Sequence, residues 1–201
     1  MATPTLPPAQ APKLNFWGAS ILIVVSNRAE LDIIVQIFAG LGSKRLHRAE
    51  TAEDATRVLE VDEVDLVVVD AALPDMDGFE LVKWLRRCPH PTNRITPAIL
   101  INSRTSAEHV ARARDCGANF VVAKPVSPNV LFERAAWISR ENRKFVEAEG
   151  YIGPDRRFSS MGPPVGTNGR RADDLPAEVG LATTPNLDQS DIDALFKPKR
   201  A

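Results

Sequence analysis

Residues placed at the ends of short apolar runs carry the chemistry this sequence has to offer. Val67-Val68-Val69 stops at Asp70, and Phe120-Val121-Val122-Ala123 stops at Lys124. Ala98-Ile99-Leu100-Ile101 stops at Asn102, with Ser103 after it, and Ile21-Leu22-Ile23-Val24 runs into Val25-Ser26-Asn27. A carboxylate fixed at the end of a buried strand can act as a nucleophile or a metal ligand, or it can simply cap the strand end. An ammonium is its counter-charge, and amide and hydroxyl groups donate hydrogen bonds to charge that develops nearby. Arg28 and Arg104 lie just past two of these ends, where a guanidinium can pair with an anionic group. The sequence has no triad, no metal-spaced ligand cluster and no Gly-rich phosphate loop, so the common enzyme signatures are missing. His47, His90 and His109 are scattered, and Cys88 and Cys116 read as small core or edge residues. Trp84 and Trp137 read as packing residues on helix faces.

These ends converge only if the runs are parallel strands of one sheet. Short β-branched runs without alternation suit strands buried on both faces. Helical spacing lies between them: Leu31, Ile34, Val35, Phe38 and Leu41 recur at i, i+3, i+4, i+7 and i+10, followed by Gly40 and Gly42 as stop signals. Residues 44–48 make a weak strand, and Thr51 with Asp54 forms a capping box for a helix over 52–60. Leu73-Pro74-Asp75-Met76-Asp77-Gly78 is a loop, and helices are expected over 79–87, 105–116 and 127–147. The alternation predicts an α/β fold of the flavodoxin-like, doubly wound kind, a five-stranded parallel sheet with helices on both faces. Its site lies at the carboxyl ends of the strands, near the switch point between strands 1 and 3.

The 201 residues hold one such domain and flanking segments. Residues 1–18 carry Pro4, Pro7, Pro8 and Pro12 and read as a disordered arm, with Asn15-Phe16-Trp17 tacking its end onto the domain. Residues 19–148 are the domain, 149–186 a disordered Gly/Pro-rich linker, and 187–201 a short amphipathic terminal helix or peptide. A net charge of −1 argues against DNA binding. No apolar run reaches the roughly 18 residues of a membrane span. Two cysteines and no secretion signal point to a reducing cytoplasm.

Three stretches together resemble the receiver domain of bacterial two-component response regulators, of the chemotaxis-regulator kind, over about residues 20–140. They are Val67-Val68-Val69-Asp70, the following Leu73-Pro74-Asp75-Met76-Asp77-Gly78, and Gly117-Ala118 leading to Ala123-Lys124-Pro125. The resemblance implies that Asp70 holds the position that accepts a phosphoryl group from a histidine kinase or phosphotransfer protein. It implies that Lys124 pairs with that group, that Asn102 and Ser103 contact it, and that the Lys124-Pro125 peptide is cis. It implies a partner-binding face within residues 103–139, on whose last helix Trp137 lies. It also exposes a departure. The acidic pair that holds Mg²⁺ in the family is replaced by Val25 and Ser26, so Asp70 is the one carboxylate left of three. Mg²⁺ binding is therefore expected to be weak or absent, and losing a few kcal/mol of transition-state stabilisation slows transfer by orders of magnitude. Arg104 and Arg28 are the candidate substitute cations.

Two readings of function stand side by side. In one, the chain is an atypical phosphorelay protein, not an enzyme, acting by protein–protein contact with Asp70 as phosphoacceptor. In the other it is a phosphorylation-independent pseudo-receiver adaptor. Arg156 and Arg157 are either solvated linker residues or a clamp for a nucleotide second messenger. Ile192, Leu195 and Phe196 form a short apolar stripe behind a capping box that Ser190 and Asp193 can make, read either as a segment for helix-in-groove docking or as a frayed terminal helix too short to hold alone. This terminal peptide is similar to the N-terminal peptide of the flagellar motor switch protein, which docks on chemotaxis receivers. The similarity implies docking on the chain's own receiver, on another receiver, or beside a flagellar component.

Overall fold

The computed structural model describes residues 16–140, 144–148, 150–155 and 188–196. Strands β1 (Ser20–Val24), β2 (Arg45–Ala49), β3 (Leu66–Asp70), β4 (Ala98–Asn102) and β5 (Phe120–Ala123) alternate with helices α1 (Arg28–Gly40), α2 (Ala52–Val61), α3 (Gly78–Leu85), α4 (Ala107–Asp115) and α5 (Pro128–Arg140). The strands form one parallel sheet in the order β2-β1-β3-β4-β5. The chain moves outward from β1 to β2, then crosses back to β3 on the other side of β1. The switch point therefore lies between β1 and β3, as the sequence predicts. β1, β3 and β4 are buried along their whole length, which is why they read as apolar runs without alternation.

Local chemistry sets the helix starts. Asn27 caps α1 by accepting the Glu30 N–H at 3.1 Å. Thr51 caps α2 through the Asp54 N–H at 3.1 Å, while its hydroxyl donates to the Asp54 carboxylate at 2.8 Å. Gly117 closes the turn after α4 in the left-handed region at φ 91°. Phe16 is buried edge-on against Phe38, with ring centroids 6.3 Å apart, whereas Trp17 is exposed. Asn15 and the rest of the arm lie outside the described residues. Cys88 and Cys116 are both buried, as expected.

The last part of the chain departs from the sequence reading. The helix expected over 127–147 ends at Arg140, and Phe145–Ala148 is instead a strand, β6. It pairs antiparallel with β7 (Tyr151–Pro154), on residues read as linker, so the expected boundary at 148/149 runs through a hairpin. Gly150 at φ 82° makes the turn, and a buried cation holds the hairpin in place. Arg86, fully buried, donates to the carbonyls of Gly117 (2.8 and 3.1 Å), Thr96 (2.7 Å) and Arg94 (3.0 Å). The Phe145 ring covers its guanidinium at 4.9 Å. Burial lowers the Arg86 pKa to about 10, which leaves it charged at neutral pH. A Cβ on Gly117 would sit 2.5 Å from the Ile152 carbonyl, so the hairpin reaches its place only over a glycine.

Helix α6 (Gln189–Phe196) packs on β5 and α4. Its cap is not the expected box of Ser190 and Asp193. Asp188 accepts the Asp191 N–H at 2.9 Å and the Ser190 hydroxyl at 2.6 Å, bonds that hold its carboxyl below the usual range. Asp193 is drawn away to Arg134 of α5. No helix among the described residues is long and apolar enough to cross a membrane.

Candidate functional site

The carboxyl ends of β1, β3, β4 and β5 share one crevice because parallel strands all point the same way. Asp70 is the last residue of β3 and is buried. Its Oδ1 accepts the Ala72 N–H at 3.1 Å and its Oδ2 accepts from Lys124 Nζ at 2.7 Å. The loop after Asp70 folds back tightly. Gly78 N–H donates to the Ala71 carbonyl at 3.0 Å, and Ala72 bridges Asp77. A Cβ on Gly78 would stand 2.2 Å from the Asp70 carbonyl oxygen, so only glycine lets α3 start this close to the acid. The two other acids of this loop are structural. Asp75 takes the N–H groups of Ala52 and Glu53 at the start of α2, both at 2.9 Å. The Ala52 bond leads the effects that lower its pKa, burial working against it. Asp77 caps α3 through the Phe79 N–H at 2.9 Å and pairs with Arg112 of α4 at 2.8 Å.

Lys124 stands just past β5, and its peptide to Pro125 is cis. Its ammonium holds two carboxylates, Asp70 at 2.7 Å and Glu30 at 2.8 Å. Burial alone would lower its pKa, but the bonds and charges of Asp70 and Glu30 outweigh that and the net shift is upward. Glu30 was not among the residues the sequence singled out. The available signal was its place three residues after the Asn27 cap, which fixes its backbone at the mouth of the crevice.

The remaining candidates sit as follows. Asn102 ends β4, is buried, and uses Oδ1 to accept the Arg104 N–H at 3.0 Å. Ser103 and Arg104 are exposed at the rim. Arg28 pairs with Glu50 at 3.1 Å, both side chains lying on the exposed surface. Val25 is fully buried, its side chain in the core. Ser26 is exposed, its hydroxyl 3.5 Å from the Ala72 carbonyl. The described carboxylates at this point are those of Asp70 and Glu30, both held by the Lys124 ammonium, with the Ser26 hydroxyl nearby. With no acid at Val25 or Ser26, that set does not fit a magnesium site, where the ion takes free carboxylates and waters. Among the described residues no group of three or more His, Cys, Asp or Glu is placed to hold a metal ion. Arg156, Arg157 and the side chains of Leu195 and Phe196 lie outside the described residues. Ile192 is fully buried.

Comparison with known proteins agrees with this architecture. Residues 21–136 match the family model of the response regulator receiver domain. Among curated relatives, the transcriptional regulatory protein YvrH of Bacillus subtilis is 30% identical over 117 residues, covering 58% of this chain and 47% of its own. Response regulator PleD of Caulobacter vibrioides is 25% identical over 187 residues, covering 85% and 40%. The chain thus spans about half the length or less of these relatives. A CheY-like receiver domain protein from Methanospirillum hungatei superposes with a TM-score of 0.55 at 28% identity, over 60% of this chain and 92% of that one. A putative response regulator from Chloroflexus aurantiacus gives a TM-score of 0.56 at 25% identity, over 61% and 98%.

Proposed function

The chain belongs to the response regulator receiver domain family, and from that premise we propose that it is a signalling adaptor of two-component systems whose output does not require phosphoryl transfer to Asp70. The observation that carries this reading is the double engagement of Lys124 by Asp70 at 2.7 Å and Glu30 at 2.8 Å. A phosphoryl group brings roughly −1.5 to −2 charge into its site. Among the described residues Lys124 is the one cation paired with Asp70, it is shared with a second carboxylate, and no acidic pair stands at Val25 and Ser26 to bring Mg²⁺. Transfer depends on neutralising that charge, so acceptance from a histidine kinase or phosphotransfer protein is slow and Mg²⁺ binds weakly. Output is protein–protein contact in the cytoplasm, through the face built by β4, α4, β5 and α5.

A second reading keeps Asp70 as a working acceptor. It is favoured by the convergence of Asp70, Lys124 and Asn102 on one crevice, with Glu30 releasing Lys124 as the phosphoryl group arrives. One experiment separates the two. Full-length wild type and Asp70→Asn are followed by amide NMR as Mg²⁺ and then beryllofluoride are added, and intact mass is recorded after incubation with acetyl phosphate. The adaptor reading expects no adduct and the same response in both proteins. Shifts around Asp70, Asn102 and Lys124 in wild type alone would sink it and establish the second reading.

A further inference from the structure

Helices α1 and α5 leave a groove of about 590 Å³ between them. Ile33, Gln36 and Ile37 of α1, Leu41 just past its end, and Asn129 and Phe132 of α5 line it, and none of its lining residues is charged. Ile33 is 56% exposed although its side chain is apolar, and Ile37, one turn on, extends the same stripe. Charged and polar side chains normally cover helix faces turned to solvent. An uncharged groove in a chain with 25% charged residues therefore calls for a cover. The N-terminal arm meets the domain close by. The Phe16 ring packs edge-on against Phe38 of α1. The Ser43 hydroxyl donates to the Ala19 carbonyl and Arg45 donates to the Gly18 carbonyl, both at 2.9 Å. These contacts pin residues 16–19 beside the turn that follows α1, at the Leu41 end of the groove.

The composition of the arm matches what the groove offers. Residues 2–12 hold no charged side chain, and Pro4, Pro7, Pro8 and Pro12 favour the extended polyproline II form. A chain in that form makes no internal hydrogen bonds, so its carbonyls take outside donors. Gln36 on one wall and Asn129 on the other carry amide N–H groups for them. Leu6 and the proline rings are apolar partners for Ile33, Ile37 and Phe132, the pairing by which proline-rich segments dock in aromatic-lined grooves. The reach is also right. At roughly 3.1 Å per residue, residues 4–12 run about 25 Å. The 13 residues of α1 span about 20 Å, and residues 13–15 are left as the tether to Phe16. We propose that the groove between α1 and α5 is the docking site of the chain's own proline-rich arm, residues 4–12, seated in cis from the Phe16 anchor. A segment of this composition has no core of its own, so its ordering is coupled to docking. The short tether holds it at an effective concentration of roughly the mM range, and an external proline-rich segment has to compete with it. The inference uses neither Asp70 nor phosphoryl transfer.

The test uses the full chain, isotope-labelled, with a nitroxide attached through Gln10→Cys. Cys88 and Cys116 are buried and out of reach of the reagent. Amide NMR intensities are compared with the nitroxide oxidised and reduced. Docking in cis should strip most of the intensity from the amides of Ile33, Ile37 and Phe132 while those of α3 keep theirs. Ile33→Asp, at an exposed position that leaves the core intact, and Leu6→Asp, in the arm itself, should each restore that intensity. Full intensity at the groove with the nitroxide oxidised would overturn the proposal, as would a loss that persists in both aspartate variants. A loss centred on other residues would put the arm elsewhere and overturn it too. Finally, unlabelled chain carrying the nitroxide is mixed with isotope-labelled chain lacking it. The mixture should show no loss, and a loss at the groove there would make the occupant the arm of a second copy and overturn docking in cis.

Discussion

Replacing Lys124 by methionine removes the ammonium and keeps most of the aliphatic stem. Asp70 is then left with the Ala72 N–H at 3.1 Å as its remaining described bond, on a side chain only 5% exposed. Breaking a buried pair by deleting one partner costs about 3–5 kcal/mol, because an uncompensated charge stays behind. The Lys124 side chain is 22% exposed, so water can enter the gap, and the low end, about 3 kcal/mol, is the expected loss. Glu30, 25% exposed, turns to solvent at little cost. Equilibrium urea unfolding has a slope of about 1–3 kcal/mol/M in small proteins, so the midpoint should fall by roughly 1–3 M. Asp70→Asn in the same background removes the stranded charge and should recover most of the loss. Asp70→Asn alone should cost little, since Lys124 keeps Glu30. The sign with pH also follows. The folded pKa of Lys124 is raised, so its contribution is complete below the unfolded lysine value and is lost only as pH rises through the folded one. The difference between wild type and Lys124→Met should therefore be flat from about pH 6 to 9 and shrink above about pH 10. A loss below about 0.5 kcal/mol, or no rescue by Asp70→Asn, would refute the claim that Lys124 compensates a buried Asp70 charge.

Gly78→Ala forces a Cβ to within 2.2 Å of the Asp70 carbonyl. The start of α3 must move, with an expected loss of about 2–3 kcal/mol by thermal unfolding and shifted Asp70 and Ala72 amide resonances. Asp75→Ala removes the oxygen partners of the Ala52 and Glu53 N–H groups, for about 1 kcal/mol at neutral pH. Its folded pKa is lowered, so in wild type this contribution holds above the unfolded aspartate value and is lost as pH falls through the folded one. The two proteins should converge as pH falls from the unfolded aspartate value, about 3.9, through the lower folded one. Gly117→Ala meets both a left-handed φ of 91° and the Ile152 carbonyl at 2.5 Å. Hydrogen exchange should show β6 and β7 losing protection while β1 and β3 keep theirs.

The buried strands and their order were legible in the sequence because burial on both faces writes itself as an unbroken β-branched run, as in Val67-Val68-Val69-Asp70. The helix starts were legible where a cap is local, as at Thr51. Asp70, Lys124 and Asn102 could be singled out because each ends such a run, and parallel strands bring their ends to one side of the sheet whatever the details of packing. Glu30 was not found, since an acid in the first turn of a helix is common and its partner is distant in the chain. The hairpin of β6 and β7 was missed for a related reason. Its strands are short, and Arg86, Phe145, Gly117 and Ile152 hold it only by meeting across the fold. The terminal peptide shows the division most sharply. Its apolar stripe and acidic character come from the sequence, but the partners of Gln189 and Asp193 are a strand edge and an arginine that exist together only after the receiver has folded. Residue type and short-range spacing fixed what each segment can do. The long-range meeting of charges, backbone edges and glycine-sized gaps, set by tertiary packing, decided which of those capacities are engaged.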